Sequence, residues 1–106
     1  MAVALLMEWP DVNQEHYLEV MQELQLDTNP PTGLLFHVVG PMKGGLRIID
    51  VWESAEAFQT FSEQRIAPAV QKAGISAQPR IEIYPALNIY VPALSTIGSL
   101  GASSMP

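Results

Sequence analysis

Three residues in the middle of the chain, His37, Asp50 and Trp52, could do chemistry inside an otherwise apolar segment. They belong to two runs rich in Val, Ile and Phe within residues 33–54, which flank a turn of Gly, Pro and Lys. This pattern predicts an antiparallel hairpin. A carboxylate beside an imidazole can orient the ring and keep it basic, which is what a general base near neutral pH requires.

The length of the hairpin loop decides which of these side chains share a face. If residues 41–44 form the loop, Gly40 lies opposite Gly45 and His37 lies opposite Ile48. Side chains alternate along a strand, so that every second one points to the same face. One face then carries six side chains: Leu35, His37, Val39, Ile48, Asp50 and Trp52. A loop one residue longer or shorter would divide this set, because a slip of one residue reverses every side chain of a strand.

Each candidate residue also has a purely structural interpretation. His37 could be a hydrogen-bonded core histidine, and Trp52 could be a large side chain that fills the core. Asp50 needs a partner, because a buried unpaired carboxylate costs several kcal/mol or takes up a proton. His37 is one such partner. Arg47 and Arg80 are alternatives, and with either of them Asp50 would be structural.

Composition limits the classes of function. A chain of 106 residues predicts one domain, and its 48% hydrophobic and 15% charged residues predict an interface beyond the monomer's own core. The net charge is −6 and the five Lys and Arg residues are scattered, which argues against binding to nucleic acid or to an anionic membrane. The absence of cysteine excludes disulfides and thiol nucleophiles and fits a cytoplasmic location.

Other kinds of site are not expected. The two histidines, His16 and His37, are far apart in the chain, which argues against a transition-metal site built by the protein. No phosphate-loop or dinucleotide-binding glycine pattern occurs. The apolar start of the chain lacks basic residues and a cleavage site, so it is not expected to be a signal peptide, and no run approaches the length of a membrane span.

The remaining elements follow from hydrophobic periodicity and capping residues. A strand is expected at residues 2–9, and a helix capped by Asn13 has its apolar stripe at Tyr17, Val20, Met21 and Leu24. Ser54 is expected to cap a second helix, which Pro68 bends or interrupts and Gly74 ends. A strand at 80–84 and a second extended piece at 87–91 follow. The domain therefore spans residues 1–91, and residues 92–106 are expected to form a flexible tail.

This order of elements predicts an α+β fold of the ferredoxin-like βαββαβ type, with a four-stranded antiparallel sheet and both helices on one face. The strands are apolar on both faces, but two helices can cover only one. An isologous homodimer that packs sheet on sheet would bury the other face. The hairpin face with His37 and Trp52 would then line a cavity between the two sheets.

The order of elements, the run Gly33–His37 and the segment Trp52-Glu53-Ser54-Ala55-Glu56-Ala57-Phe58 resemble the dimeric alpha-beta barrel superfamily. Among its members, they are most similar to small antibiotic biosynthesis monooxygenase-like proteins. The resemblance covers about residues 2–91. It implies a homodimer with one ligand cavity per subunit, between the sheet and the helices or loops, lined by Trp52. Haem-degrading members use a histidine of the second helix, and residues 54–74 contain none, so haem is not expected.

Two hypotheses about function follow. In the first, the protein is a cofactor-independent enzyme, monooxygenase-like or a cyclase or isomerase, acting on an apolar or aromatic metabolite. His37 would be the base and Asp50 its orienter, and four side chains would contact the substrate: Trp52, Leu35, Ile48 and Tyr84. In the second, the protein is a binding or structural dimer without chemistry. Tyr84 and Tyr90 either close the cavity or bury the dimer seam.

Overall fold

The computed structural model describes residues 1–96, and most of the predicted tail lies outside them. The elements are β1 (Val3–Pro10), α1 (Gln14–Leu24), β2 (Leu34–Met42), β3 (Gly45–Trp52), α2 (Ala55–Phe61), α3 (Ala67–Lys72) and β4 (Arg80–Pro85). Within the described residues the strands form one antiparallel sheet in the order β2-β3-β1-β4. The predicted ferredoxin-like α+β fold is confirmed.

Both helical segments begin at the predicted caps. The Asn13 side-chain oxygen accepts a hydrogen bond from the His16 N–H at 2.9 Å, and His16 Nδ1 accepts one from the Asn13 N–H. At the start of α2, the Ser54 hydroxyl oxygen accepts from the Ala57 N–H at 3.1 Å. These bonds satisfy backbone donors that have no partner within a helix. They therefore fix the residue at which each helix begins.

The second helical segment is interrupted, as Pro68 predicted. A π-helical turn (Ser62–Ile66) joins α2 to α3, and the Ala67 N–H donates to the Ser62 carbonyl, five residues back. Pro68 has no N–H to donate, so the regular α-helical ladder cannot pass through it. The segment ends at Gly74, whose φ of 76° suits a residue without a side chain.

The helices cover one face of the sheet and enclose the core. The nine buried residues of the main cluster come from both layers: Val3, Leu5, Met7, Val20, Leu24, Trp52, Phe58, Phe61 and Ala69. The face with His37 and Trp52 is therefore the one under the helices. The expectation that this face lines a space between two sheets is wrong. The opposite face is open and presents exposed apolar side chains, among them Val38, Ile49 and Tyr84.

The hairpin between β2 and β3 is tighter than expected. Met42 pairs with Gly45, so the loop consists of residues 43–44 rather than 41–44. His37 consequently lies opposite Asp50 instead of Ile48. The register differs by two residues, an even number, so His37 stays on the same face as Asp50. Leu35, in contrast, sits at a β-bulge near the start of β2 and leaves that face.

Two residues with turn chemistry belong to strands for local reasons. Pro41 lies in β2, an edge strand, where a missing N–H costs no ladder bond if it faces outward. Gly45 begins β3 at a point where the Trp9 backbone approaches so closely that a Cβ would overlap the Trp9 carbonyl. Pro41 therefore extends β2 instead of belonging to the expected loop, whereas Gly45 lies in β3, where it was expected.

Gly45→Ala is expected to destabilise the protein by about 1–3 kcal/mol, because the backbone of β1 must move to admit the methyl group. Gly40→Ala is the matched control, since a Cβ there meets no atom within 4 Å. Urea denaturation of the two variants measures the difference. Equal midpoints would contradict the close approach of Trp9 to β3.

The second extended piece, residues 87–91, is not a strand. It pairs with no strand among the described residues, and Leu87 and Tyr90 are highly exposed. An apolar extended sequence makes a strand only where a partner edge satisfies its backbone. The sequence pattern predicted an extended backbone for this segment but could not predict whether it pairs with another strand.

Candidate functional site

The candidate site is a row of four hydrogen-bonded side chains between the sheet and helix α1. The Tyr17 hydroxyl oxygen lies 2.7 Å from His37 Nε2, and His37 Nδ1 lies 2.7 Å from Asp50 Oδ1. Trp52 Nε1 donates to the second carboxylate oxygen, Asp50 Oδ2, at 3.1 Å. The row thus links a phenol, an imidazole, a carboxylate and an indole.

Three elements position this row. The pairing of β2 with β3 places His37 directly opposite Asp50, and Trp52 follows two residues later on the same face. Tyr17 comes from α1, where it belongs to the stripe that packs onto the sheet. Its ring is parallel to the imidazole, at a centroid distance of 6.1 Å. Strand pairing and helix packing together bring the four polar groups into contact.

The partners determine where the protons lie. Asp50 is 5% exposed, and its carboxylate can only accept hydrogen bonds when ionised. His37 Nδ1–H therefore donates to Asp50, as Trp52 Nε1–H does. In the neutral imidazole, Nε2 is then the acceptor, and the Tyr17 hydroxyl donates to it. His37 keeps 26% of its side-chain surface exposed.

Burial raises the pKa of Tyr17 to about 12, and the negative charge of Asp50 adds to this effect. The phenol therefore remains protonated at neutral pH and acts as a hydrogen-bond donor. Because the folded-state pKa lies above the ordinary value of 10, the unfolded state ionises first as the pH rises.

This difference predicts a loss of stability in alkali. The contribution of Tyr17 is complete below pH 10 and is lost between pH 10 and pH 12. Tyr17→Phe removes the ionisable group, so its stability should fall less steeply than that of the wild type over this interval. Denaturant unfolding at pH 9 and pH 11 measures the two slopes, and equal slopes would contradict the shift. The difference in tyrosinate absorbance between the wild type and Tyr17→Phe should rise in a step near pH 12.

The two arginines that could have paired with Asp50 lie on the other face of the sheet. Arg47 Nη2 and Arg80 Nη1 bind the two carboxylate oxygens of Glu8, at 2.9 and 2.8 Å. These partners, led by the hydrogen bond from Arg47, hold the pKa of Glu8 below its usual value. Asp50 has only His37 and Trp52 as side-chain partners among the described residues.

Trp52 is enclosed. It is 1% exposed, and its ring packs against Phe58 and Phe61, with centroid distances of 5.7 and 5.5 Å. The indole is thus buried against two aromatic rings, one in an edge-on contact and the other tilted by 40°. In this conformation Trp52 supports the core and donates a hydrogen bond to Asp50, and it offers no free surface on which a ligand could stack.

A small cavity adjoins the row and lies between the sheet and the helices, as the resemblance implied. Its volume is about 80 Å³, and its walls include His37, Ile48, Asp50 and Trp52. The structure brings these four candidates together. Tyr17 also lines the cavity.

Two candidates lie elsewhere. Leu35, displaced by the bulge, is 50% exposed, and Tyr84 lies opposite Ala4 on the open face, where it is 53% exposed. Sequence reasoning missed Tyr17, because a tyrosine in a helical apolar stripe is indistinguishable from a packing residue. The signal that the sequence did offer for Tyr17 was a hydroxyl group at a position of α1 that faces the core.

Residues 1–96 contain neither a metal-binding cluster nor a membrane-spanning helix. In the described part of the chain, no group of three or more His, Cys, Asp or Glu residues is arranged to hold a metal ion. Over residues 1–96, no helix has the length and apolar character needed to cross a bilayer.

Solved structures of other proteins share this fold. SnoaB, a cofactor-independent oxygenase from Streptomyces nogalater, has a TM-score of 0.62 at 12% identity over 86% of this chain and 97% of its own. Rv0793 from Mycobacterium tuberculosis has a TM-score of 0.64 at 10% identity over 86% and 100% of the two chains. A Caulobacter crescentus CB15 protein, named as a proposed antibiotic biosynthesis monooxygenase, has a TM-score of 0.64 at 15% identity over 82% and 91%.

These likenesses place the chain in a structural class. It has the ferredoxin-like fold of antibiotic biosynthesis monooxygenase-like proteins, and the resemblance indicated by its sequence is confirmed at the level of the fold. No protein-family model matches the chain. No curated protein matches it either. Because one fold hosts many functions, the activity must be argued from the site.

Proposed function

We propose that the protein is a small cofactor-independent enzyme that removes a proton from an apolar or aromatic metabolite. The observation that carries this proposal is the 2.7 Å contact between His37 Nδ1 and the buried carboxylate of Asp50. Such a contact fixes the tautomer and leaves Nε2 as a basic nitrogen. Because Arg47 and Arg80 form ion pairs with Glu8, the Asp50 carboxylate is not paired with either arginine and can accept the hydrogen bond from His37.

Four of the residues that line the inner cavity have distinct roles in this proposal. His37 is the base, and Asp50 orients it and stabilises the imidazolium that forms. Trp52 is a positioning residue, because its indole N–H holds the second carboxylate oxygen. Ile48 lines the inner cavity together with His37 and supplies part of the apolar surroundings of the base.

The fate of the substrate anion defines the reaction. An enolate or phenolate can be reprotonated at another atom, which is isomerisation, or can attack an internal electrophile, which is cyclisation. It can also react with dioxygen at a carbon that bears two hydrogens in the keto form, which becomes a carbonyl: the substrate supplies all four electrons, one oxygen atom is retained and the other leaves with the two hydrogens as water. The name of SnoaB, a cofactor-independent oxygenase of the same fold, supports the oxygenase among these three.

The proposed enzyme is a cytoplasmic homodimer. The sheet face that the helices leave open presents Val38, Ile49 and Tyr84 to solvent, and a second copy packed against it would bury them.

A non-catalytic binding or structural dimer is the second candidate, and the packing of the core favours it. Trp52 is enclosed by Phe58 and Phe61, and the cavity of about 80 Å³ is smaller than the roughly 300–1,000 Å³ of ordinary ligand sites. In this case the row of four side chains serves to satisfy buried polar groups.

Deuterium exchange into 2-tetralone, a bicyclic ketone with acidic C–H bonds, distinguishes the two candidates. The enzyme should accelerate this exchange in D₂O, followed by NMR, and His37→Gln should lower the rate at least about 100-fold. His16→Gln is the matched control, because glutamine at this position preserves the capping arrangement. Oxygen uptake with 2-naphthol tests the oxygenase reaction. Exchange no faster than in buffer, or equal in wild type and His37→Gln, would favour the non-catalytic dimer.

A further inference from the structure

A second and larger cavity lies next to the candidate site. It is an open groove of about 640 Å³ between the first turns of α1 and the tip of the β2–β3 hairpin. Three residues line both this groove and the inner cavity: Val12, Tyr17 and Leu46. Of the four hydrogen-bonded residues, Tyr17 alone belongs to both linings. Its side chain therefore forms part of the wall between the groove and the inner cavity, which His37 lines.

The two volumes decide where a metabolite can sit. The inner cavity, at about 80 Å³, is too small for a bicyclic ring system, whereas the groove falls in the range of ordinary ligand sites. A substrate in the groove would meet the row of four residues at Tyr17, since His37 is not among the groove's lining residues.

We propose that the groove binds a flat, uncharged aromatic ketone or phenol, and that Tyr17 is a catalytic residue relaying its proton to His37. This inference rests on the proposed function and names the substrate class and the path of the proton. The substrate's C–H or O–H bond breaks and its proton passes to the Tyr17 oxygen, while the Tyr17 hydroxyl proton passes to His37 Nε2. The products are a substrate anion and an imidazolium paired with Asp50, and Tyr17 is neutral before and after.

The chemistry of the groove supports this choice of ligand. Leu18, Val39 and Pro41 give it apolar walls, which suit the faces of an aromatic ring. Asp11 is the one charged residue among those that line it, and no lysine or arginine does so within the described chain. A carboxylate or phosphate ligand would find no countercharge there, so an uncharged ring system fits best.

The geometry of Tyr17 supports the relay. Its oxygen lies 2.7 Å from His37 Nε2, the distance of a formed hydrogen bond along which a proton can move. The high pKa of Tyr17 opposes a free tyrosinate, so the two proton transfers must be concerted.

Tyr17→Phe separates a relay from a blocking role. If Tyr17 relays the proton, the variant should exchange 2-tetralone hydrogens at least about 100-fold more slowly than wild type, with KM for 2-tetralone changed less than threefold. If Tyr17 merely occupies Nε2, its removal should leave kcat unchanged or raise it. The melting temperature confirms that the variant is folded, and comparison of its pH–rate profile with that of the wild type shows whether the general base has changed.

Binding of 2-naphthol, measured by NMR titration, tests the groove without any reaction. Leu18→Ala should weaken binding about fivefold, because the ring loses part of an apolar wall. Leu35→Ala is the matched control, since Leu35 lies in neither cavity. The largest amide shifts should fall on residues 12–18 and 39–46.

The outcomes distinguish this inference from the proposed function. If Tyr17→Phe exchanged 2-tetralone hydrogens at the wild-type rate while His37→Gln lost this activity, the relay would be overturned and His37 would remain the base. Absence of wild-type exchange would overturn both the base and the relay, and the groove would then be judged on binding alone. No binding of 2-naphthol at millimolar concentration, or equal affinity in Leu18→Ala and wild type, would overturn the groove as the ligand site.

Discussion

Asp50→Ala is expected to lower the free energy of unfolding by roughly 2–5 kcal/mol, because a buried donor and a partly buried donor lose their common acceptor. His37 Nδ1 and Trp52 Nε1 each donate to a different oxygen of this carboxylate. A buried donor left without a partner costs about 1–3 kcal/mol. For a domain of this size, each kcal/mol lowers Tm by about 4–8 °C. Thermal denaturation followed by circular dichroism measures the loss.

Asp50→Asn isolates the electrostatic part of this effect. The amide keeps the shape of the carboxylate but presents one acceptor oxygen and one N–H group. If the N–H group faces His37, Nδ1 must become the acceptor, and Nε2 then carries the proton. Nε2 can no longer accept a proton from Tyr17, so exchange of 2-tetralone hydrogens should fall as far as in His37→Gln. The stability loss should be smaller than in Asp50→Ala.

Asp27→Asn serves as the control, since Asp27 is exposed and makes no side-chain hydrogen bond in the described part of the chain. Its stability should stay within about 0.5 kcal/mol of wild type. If Asp50→Ala were equally mild, the carboxylate would not be the acceptor that holds His37 and Trp52. The hydrogen bonds that join His37, Asp50 and Trp52 would then not stabilise the protein, and the catalytic proposal would lose its basis.

The sequence predicts the shared face of His37 and Asp50 even though it misplaces the hairpin loop. Alternation depends only on whether the register shift is odd or even, and the actual shift is two residues. The local sequence pattern does not reveal that Pro41 lies in an edge strand or that the Trp9 backbone lies close to Gly45. Both are properties of neighbouring strands, so they appear only when the sheet is assembled.

Other features depend on contacts distant in the chain, and these were harder to predict. Leu35 leaves the face because of a bulge, which no residue type marks in advance. Tyr17 reaches His37 from a helix twenty residues earlier, and its periodic position indicated packing, which is correct but incomplete. The choice of Asp50's partner required knowing that Glu8 takes both arginines. The local pattern therefore predicts elements and faces, whereas pairings need the fold.

Trp52→Ala is expected to cost about 3–5 kcal/mol, because it removes the largest fully buried side chain from the core. Phe58 and Phe61 pack against this indole and would line the space that it leaves. Urea denaturation should show a midpoint far below that of wild type. An unchanged midpoint would mean that the packing of Trp52 contributes nothing, which would contradict its place in the core under either proposed function.

Trp52→Phe separates the packing of this residue from its hydrogen bond to Asp50. Phenylalanine retains much of the ring but has no N–H, so the stability loss should be about 1–2 kcal/mol. Trp9→Phe is the matched control, because the Trp9 indole N–H donates to Met7 Sδ and to none of the four hydrogen-bonded residues. If Trp52 positions the carboxylate, Trp52→Phe should slow 2-tetralone exchange and shift its pH profile, whereas Trp9→Phe should do neither. Unaltered exchange in Trp52→Phe would assign the indole to packing alone and leave His37 and Asp50 to act without it.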